Sequence, residues 1–541
     1  MSGLSRRFYF ALCAIGVAFA PAAGCGNGCT PSVRGAGPEV IRCAAAGCAV
    51  DDRKPIVGGT LRVHMEAEPT GLCDLVNHES WVRWIVENQV MESLVEQDAV
   101  TGVISPRLAQ SWQIVGEGAL RTWVFHLRDG VRFHDGHPFG ATDVAFTLGR
   151  ARDPALAADQ RSDLAPIVSI DTPDEHTVIL HVPGPAPFLM QVLAHIVIYP
   201  RHLLDGTDLR TASFCRAPVG TGPFRFASWQ SGVRISIERA RDYWGKAVAV
   251  DGVEFRIVRD RQAAWLLYRR GELDVMWRLP SDVVATAEHD GQLSGHRLYR
   301  QRLRSFFFVL WNTRRPALRD PKVREGLAHL VDWPRLIELG FSGRAQAHSG
   351  PYIAGTPSYD DSVLPWSYDP QLAKHALENI ADRPTKLTFL STTGSASVDQ
   401  LATLLEEDLR RIGIELVVEK LDFAQLLDRL HKHDFDVTAM QLTMVREQDN
   451  FGLFHSSAAN EQNWAGLADP EIDRVLERIR ATDDDAQRHT LDRELHRLLH
   501  ERGPMSFLLV PEVETAVRAG WGGIRASADG LGLANAHRVA P

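Results

Sequence analysis

A helix that passes directly into a strand is the sequence feature that most limits the possible folds. Leu401, Leu404, Leu405, Leu409 and Ile412 recur at helical spacing, and Gly413 stands where such a helix ends. Residues 414–418 follow at once and are typical of a strand. A unit of this kind predicts a mixed α/β protein.

The rest of the chain repeats this alternation without a fixed period. The patterns predict strands over residues 61–64, 122–127, 233–238 and 253–257. They predict helices over residues 82–95, over 142–152 with Thr142 as the N-cap, and through Ile472, Val475, Leu476 and Ile479. The fold class is therefore α/β, and 541 residues suffice for several domains. A formal net charge of −9 with no basic block argues against nucleic acid as a partner.

The amino terminus has the pattern of an export signal. Arg6 and Arg7 precede an uncharged apolar run over residues 8–20, which small residues follow. A membrane-spanning helix needs about 20 apolar residues, so this run is too short for one. Ala23-Gly24-Cys25 resembles a bacterial lipobox, although Ala22 stands where Leu is usual. The resemblance implies lipidation at Cys25 and a lipid anchor in the membrane; the alternative is plain cleavage that leaves an ordinary thiol.

Residues 26–55 are rich in Gly, Ala and Cys and predict a flexible tether. In an oxidising compartment disulfides persist, but the sequence leaves their connectivity open. The cysteines that remain available for them are Cys29, Cys43, Cys48, Cys73 and Cys215. No CxxC is present, so a zinc ribbon or thioredoxin-type site has no support.

Sequence patterns for catalysis and for metals are weak. His134, Asp135 and His137 fall in a turn, while His496 and His500 share a helix face but have Arg497 where a zinc protease has Glu. The chain contains neither GxxxxGK[ST] nor GxSxG. We therefore expect a binding protein without a cofactor or a resident metal, not an enzyme.

Three stretches resemble one protein family. The first comprises residues 106–112 (PRLAQSW), 122–139 (TWVFHLRDGVRFHDGHPF) and 141–144 (ATDV). The second comprises residues 218–224 (PVGTGPF), 241–245 (RDYWG) and 271–274 (GELD), and the third comprises residues 311–312, 320–324 and Asp332. Together they resemble the extracytoplasmic solute-binding proteins, family 5, which serve ABC importers of oligopeptides, dipeptides and nickel.

This resemblance implies a periplasmic-binding-protein type II fold with two α/β lobes and an inserted subdomain in the first. The expected divisions are 1–25 signal, 26–55 tether, 56–97 first segment of lobe 1, 98–215 inserted subdomain, 216–305 second segment of lobe 1, 306–508 lobe 2 and 509–541 return to lobe 1. The chain should cross between lobes near residues 303–311 and 504–511. The resemblance also implies a periplasmic monomer that binds its ligand in the interlobe cleft and delivers it to ABC permease subunits with their ATPases.

One departure from the family pattern bears on the ligand. Peptide binders of the family have a Trp and, three residues later, an Asp that pairs with the peptide ammonium. Gln441 and Met444 occupy those positions here, with Arg446 close by, which argues against a simple peptide with a free amino terminus. A shifted alignment would give the role to Glu447 or Asp449.

The candidate ligand-binding residues are aromatic and arginine side chains at loops expected to face the cleft. They are Trp277, Arg278, Tyr352, Arg446 and Trp464. Other functions remain open: a chemosensory receptor of the same fold, a secreted hydrolase, and a binder of nickel, a metallophore, a sugar or an opine-like acid.

Overall fold

The computed structural model describes residues 39–42 and 54–539, apart from 78, 99–101, 157, 159–160, 162, 281–282, 285, 287–289, 291–292, 379, 381, 444–448, 460–461 and 528–529. Several predictions lie outside the described residues. They concern the signal segment, Cys25, Cys29, Cys43, Cys48, Met444, Arg446 and Glu447.

The described residues form strands and helices that alternate along most of the chain. The strands are β1 Glu39–Arg42, β2 Thr60–Met65, β3 Val95–Gln97, β4 Ile104–Pro106, β5 Ala109–Val115, β6 Thr122–Leu127, β7 Ser169–Asp174, β8 Thr177–His181, β9 Phe224–Gln230, β10 Arg234–Arg239, β11 Gly252–Ile257, β12 Val275–Met276, β13 Arg297–Arg302, β14 Ser305–Trp311, β15 Ala345–Ala347, β16 Lys386–Thr392, β17 Glu415–Leu421, β18 Val437–Thr443, β19 Met505–Val517, β20 Trp521–Gly522, β21 Arg525–Ser527, β22 Gly530–Gly532 and β23 His537–Arg538.

The helices are α1 Ser80–Val86, α2 Ala141–Arg152, α3 Leu189–His195, α4 Arg201–Leu204, α5 Arg261–Arg269, α6 Pro321–Ala328, α7 Trp333–Phe341, α8 Pro370–Glu378, α9 Ala396–Arg411, α10 Phe423–His431, α11 Phe451–Phe454, α12 Pro470–Arg480 and α13 Asp485–Arg502.

One long sheet joins two lobes. Its main path runs β17-β16-β18-β14-β19-β12-β2-β11-β10-β9, so lobe 2 supplies the first strands and lobe 1 the last. In lobe 2, β14 is buried along its whole length. Its side chains alternate between two cores: Phe306 and Phe308 pack in one, Phe307 and Val309 in the other. A strand covered on both faces reads as a continuous apolar run, which explains the sequence SFFFVLW.

Lobe 1 carries a separate antiparallel sheet in the order β5-β6-β8-β7. It falls within the segment expected to be an inserted subdomain, and its apolar side chains join the core of lobe 1. Cys73 and Cys215 form a disulfide within this lobe, with their Cα atoms 5.0 Å apart.

The lobes are connected through the adjacent strands β13, β14 and β19. Strand β19 pairs with β13 through its lobe 1 half and with β14 through its lobe 2 half, antiparallel in both cases. Between them, the Leu303 N–H donates to the Pro511 carbonyl at 2.8 Å. Strand β19 thus belongs to both halves of the long sheet.

Residues of the motifs that carry the family resemblance converge on one buried carboxylate of lobe 1. Glu92 has no exposed side-chain surface and accepts a hydrogen bond from Arg107 at 2.7 Å. It also accepts from Thr221 at 2.9 Å and from Tyr243 and Trp244, each at 2.8 Å. Because a buried carboxylate needs several hydrogen-bond partners, these motif residues stabilise lobe 1. Their hydrogen bonds to Glu92 give them a structural role.

The glycines of the second motif allow a close approach of the backbone. Neither Gly220 nor Gly222 is among the residues with positive φ, so neither is required by an unusual backbone angle. A Cβ on Gly220 would lie 2.0 Å from the Val90 carbonyl oxygen, and one on Gly222 would lie 2.4 Å from that of Gln89. These glycines allow two backbone segments to approach closely.

Three local predictions need correction. The helix predicted over residues 82–95 ends at Val86, and Asn88 then takes a left-handed conformation with φ of 58°. The N-cap of α2 is Gly140, not Thr142. Within the segment expected to be a flexible tether, β1 pairs in parallel with β13, because the outer edge of β13 has free backbone groups.

Candidate functional site

The register of the sheet directs the strands of both lobes toward each other. In lobe 1, β12 is antiparallel to β19, and β2 and β11 run parallel to β12. In lobe 2, β14 is antiparallel to β19, β18 is antiparallel to β14, and β16 and β17 run parallel to β18. The carboxyl ends of β2, β11 and β12 therefore face those of β16, β17 and β18 across the crossing strands. Ligands of open α/β sheets bind at such carboxyl ends.

Trp277 and Arg278 lie at the lobe 1 side of this cleft, immediately after β12. Their backbone is held at two points. The ring nitrogens of buried His64 lie 3.3 Å from the Trp277 carbonyl oxygen and 2.9 Å from that of Val258, which follows β11. The Leu279 N–H donates to the Glu514 carbonyl at 2.8 Å. His64 thereby fixes the carboxyl ends of three strands relative to one another.

Three tryptophans stack edge to face beneath this loop. The ring of Trp84 lies 4.7 Å from that of Trp277 and 4.6 Å from that of Trp81. Trp277 is fully buried, whereas Trp84 is half-buried. Aromatic pairs at these distances form a rigid wall.

The charge of Arg278 is not neutralised by an ion pair among the described residues. Its guanidinium lies 5.8 Å from the Trp277 ring, and its Nε is buried without a hydrogen-bond partner. Nearby Glu66 forms an ion pair with Arg261 at 3.1 Å. Burial lowers the pKa of Arg278, Glu66 raises it, and Arg261 lowers it.

At the lobe 2 side, Gln441 donates from Nε2 to the Ser305 hydroxyl at 2.6 Å, which links β18 to β14. Asp449 is one of the residues that a shifted alignment would assign to a peptide ammonium. Its carboxylate already accepts from Arg480 at 2.7 Å and from the Phe451 N–H at 3.0 Å. Asp449 is thus engaged within lobe 2.

Two other candidates are packed inside lobe 2. Tyr352 is 3% exposed and donates to Asp492 at 3.0 Å. Trp464 is 9% exposed and packs in the same core. The structure therefore places Trp277 and Arg278 at the lobe 1 edge of the cleft, whereas Tyr352 and Trp464 are buried in the core of lobe 2.

A second contact between the lobes lies apart from the crossing strands. Arg121, which directly precedes β6, forms an ion pair with Asp483 at 2.5 Å, and the Ala186 N–H donates to the same carboxylate at 3.2 Å. Phe188 packs against the lobe 2 core, with the Arg488 guanidinium 5.6 Å from its ring. Asp483 lies in the turn between α12 and α13. We call these residues the second interlobe contact.

A serine and a histidine in lobe 2 meet without forming a nucleophile. The hydroxyl of Ser349 lies 3.2 Å from His496 Nε2, while His496 Nδ1 accepts the Asp360 backbone N–H at 3.1 Å. That bond places the imidazole proton on Nε2, so the ring cannot take a proton from Ser349 there. Both side chains are buried, and burial lowers the pKa of His496 to about 4.

The histidines noted in the sequence serve packing. His500 stacks on Trp366 at 4.2 Å, and His137 stacks on His202 at 3.8 Å. Within the described part of the chain, no group of three or more His, Cys, Asp or Glu side chains could hold a metal ion. In that same part, every helix is too short or too polar to cross a bilayer.

Sequence patterns indicated Trp277 and Arg278 but missed His64, Glu66 and Trp84. The sequence offered one indication of a role for them, which was position. His64 and Trp84 lie within segments predicted as strand and helix, and Glu66 lies shortly after the predicted strand. A lone histidine in an apolar strand such as β2 has no pattern that distinguishes it from a core residue.

Comparison with known proteins agrees with this geometry. Residues 103–463 match the model of the bacterial extracellular solute-binding proteins, family 5. The di/tripeptide-binding protein 2 of Pseudomonas aeruginosa is 27% identical over 507 residues, covering 86% of this chain and 92% of that protein.

Two solved structures share the fold. The structure of the binding protein AgaA from A. tumefaciens R10, in complex with agropinic acid, is 27% identical with a TM-score of 0.70, and the match covers 86% of this chain and 94% of that one. The ABC transporter substrate-binding protein CtaP of Listeria monocytogenes is 21% identical with a TM-score of 0.78, over 90% of this chain and all of that one. The chain belongs to family 5 of the bacterial extracellular solute-binding proteins, which are two-lobed substrate-binding subunits of ABC-type importers.

Proposed function

We propose that this chain is a monomer that captures a peptide-sized solute between its lobes. In its closed state it delivers the solute to an ABC permease. One observation carries the proposal: the carboxyl ends of the lobe 1 strands face the carboxyl ends of the lobe 2 strands, and Trp277 and Arg278 lie at the lobe 1 edge. The mechanism is binding without chemistry. A solute that contacts both lobes stabilises the closed state and shifts the population toward it.

The second interlobe contact supports closure as the capture step. Arg121 and Asp483 belong to different lobes, and Asp483 accepts two hydrogen bonds from the inserted subdomain. Charge-assisted bonds of this kind hold two surfaces together once they have met. In this proposal they slow reopening and thereby keep the solute in the cleft.

The ligand is proposed to be other than a simple peptide held by its free amino terminus. Asp449 supports this view, because Arg480 already pairs with its carboxylate. The relatives show that the family accommodates different solutes, since one is named for di- and tripeptides and another was solved with agropinic acid.

We also propose that Cys25 is lipidated and anchors the chain to the membrane outside the cytoplasm. The support is the sequence Ala23-Gly24-Cys25 after an export-type apolar run. Growth with a radiolabelled fatty acid should label the wild type, and Cys25→Ser should remain unlabelled and move to the soluble fraction. Equal labelling of both chains would contradict the anchor.

The capture mechanism predicts a solute that copurifies and leaves faster when the second interlobe contact is broken. Native mass spectrometry of residues 56–541, isolated without denaturation from the periplasm, should show an additional small-molecule mass. In Asp483→Ala, the dissociation rate of that molecule should rise about tenfold, because interface changes act mostly on dissociation.

Glu494→Gln is the matched control for this experiment. Glu494 lies on α13, and its exposed ion pair with Arg478 stays inside lobe 2. This variant should release the molecule at the wild-type rate. Equal dissociation from wild type and Asp483→Ala would contradict the role of the contact, and turnover of the molecule into a product would contradict binding without chemistry.

A further inference from the structure

We infer that Arg278 is an anion anchor, so that the captured solute carries a carboxylate which enters the cleft at the lobe 1 edge. The inference rests on the proposed function, because it names the chemistry of the solute at the same cleft. It starts from the position of Arg278, which follows β12 where lobe 1 faces lobe 2.

The backbone at Arg278 is held in an unfavourable conformation. Its φ is 53°, in the left-handed region that is unfavourable for an L-residue with a side chain. The neighbouring residues hold it there: His64 contacts the Trp277 carbonyl, and the Leu279 N–H bonds to Glu514. Backbone strain of this kind persists where the surroundings fix it, and it clusters at ligand sites.

The side chain is equally unusual. Its Nε is buried without a partner, and among the described residues no carboxylate lies within ion-pair distance of the guanidinium. The nearest acidic influence is Glu66, which Arg261 already engages through two hydrogen bonds at 3.1 and 3.2 Å. Leaving a donor unpaired in a buried place is costly, so a site with this arrangement gains when an acceptor arrives.

A carboxylate fits this site better than other partners do. The guanidinium is planar and presents a fork of donors that matches the two oxygens of a carboxylate. The Trp277 ring below it and the half-buried Trp84 exclude water on one side, which strengthens a charge-assisted bond. A cationic group on the solute would instead meet Arg278 and Arg261 together.

Two measurements test the inference, and the first needs no ligand. Arg278→Met removes an unpaired, partly buried charge but keeps an unbranched apolar stem that reaches about as far as Nε. The ligand-free variant should therefore melt at the same temperature as the wild type or higher. A merely structural arginine would give the opposite result, and a lower melting temperature would overturn the inference.

The second measurement compares the solutes that copurify from the periplasm. The wild type and the control Arg270→Gln should retain a molecule that fragments as a carboxylic acid, since Arg270 is exposed at the far end of α5. Arg278→Met should bind that purified molecule about 10- to 100-fold more weakly, the loss expected for a hydrogen bond to a charged group. A retained molecule without an acidic group, or equal affinity in Arg278→Met, overturns the inference while the proposed capture stands.

If the wild type copurifies without a small molecule, N-acetyltrialanine and N-acetyltrialanine amide are titrated as the probes, because both lack a free amino terminus and only the first carries a carboxylate. Tighter binding of the acid, lost in Arg278→Met, supports the inference. Equal binding of both probes, or tighter binding of the amide, overturns the inference while the proposed capture stands. Failure of the proposed function has a different signature, in which the wild type neither copurifies with a small molecule nor binds either probe.

Discussion

Loss of the disulfide between Cys73 and Cys215 is expected to lower the free energy of unfolding of lobe 1 by about 5 kcal/mol. The bond joins residues 142 positions apart. Closing a loop of that length restricts the unfolded chain, and the chain-entropy relation gives about 5 kcal/mol at 25 °C. This is comparable to the whole stability of many domains.

Urea unfolding of the double variant Cys73→Ala/Cys215→Ala against the wild type measures this effect. Alanine avoids placing buried hydroxyls where both cysteines now lie, at 0% and 7% exposure. Hydrogen exchange should show lost protection in the strands of lobe 1, while β14 and β16–β18 keep theirs. The control is wild-type protein whose free thiols are alkylated without a reductant, so that the disulfide stays intact. A difference in the free energy of unfolding below about 1 kcal/mol between this control and the double variant would show that the bond contributes little.

Acidification is expected to destabilise lobe 2 steeply below pH 6.5. Burial lowers the pKa of His348 to about 3 and the pKa values of His496 and His500 to about 4. Each is neutral when folded and takes up a proton on unfolding, because an unfolded histidine titrates near pH 6.5. A lowered folded-state pKa means that stability is present above pH 6.5 and is lost as the pH falls toward 4.

Three protons taken up on unfolding correspond to a slope of about 4 kcal/mol per pH unit near pH 5. Urea unfolding at pH 7, 6 and 5 gives the slope directly. His348→Gln should reduce the slope by about a third, because it removes one of the three histidines that take up a proton. The variant loses no hydrogen bond at Nε2, which has no partner among the described residues. His375→Gln changes an exposed histidine on α8 and should leave the slope unchanged. A stability independent of pH over this range would refute the buried neutral state.

Local periodicity predicted elements better than it predicted their ends. The strand at residues 122–127 was expected and is β6, because alternating residues face the core of lobe 1. The helix that starts near Val82 was extended too far. Glu92 reads as a helical surface residue, but Arg107, Thr221, Tyr243 and Trp244 draw it into the core, and such long-range partners leave no local pattern.

The candidate site was only partly predictable for the same reason. Trp277 and Arg278 could be chosen because a loop after a strand in an α/β lobe tends to face ligand. Tyr352 and Trp464 have a similar sequence context to Trp277, yet both are packed in the core of lobe 2. Whether an aromatic side chain faces a cleft or a core depends on which strands pair, and the sequence alone left that undecided.

Strand β19 has a consequence for the order in which the chain folds. It supplies residues 512–517, which pair with β13, and Val517, which pairs with Val275 in β12. Both partners are synthesised long before β19 leaves the ribosome. The sheet of lobe 1 therefore stays incomplete until β19 has been made, and such non-local pairing is slow to form. Until then, the edges of β12 and β13 that β19 covers keep unpaired backbone groups, which are open to pairing with other chains.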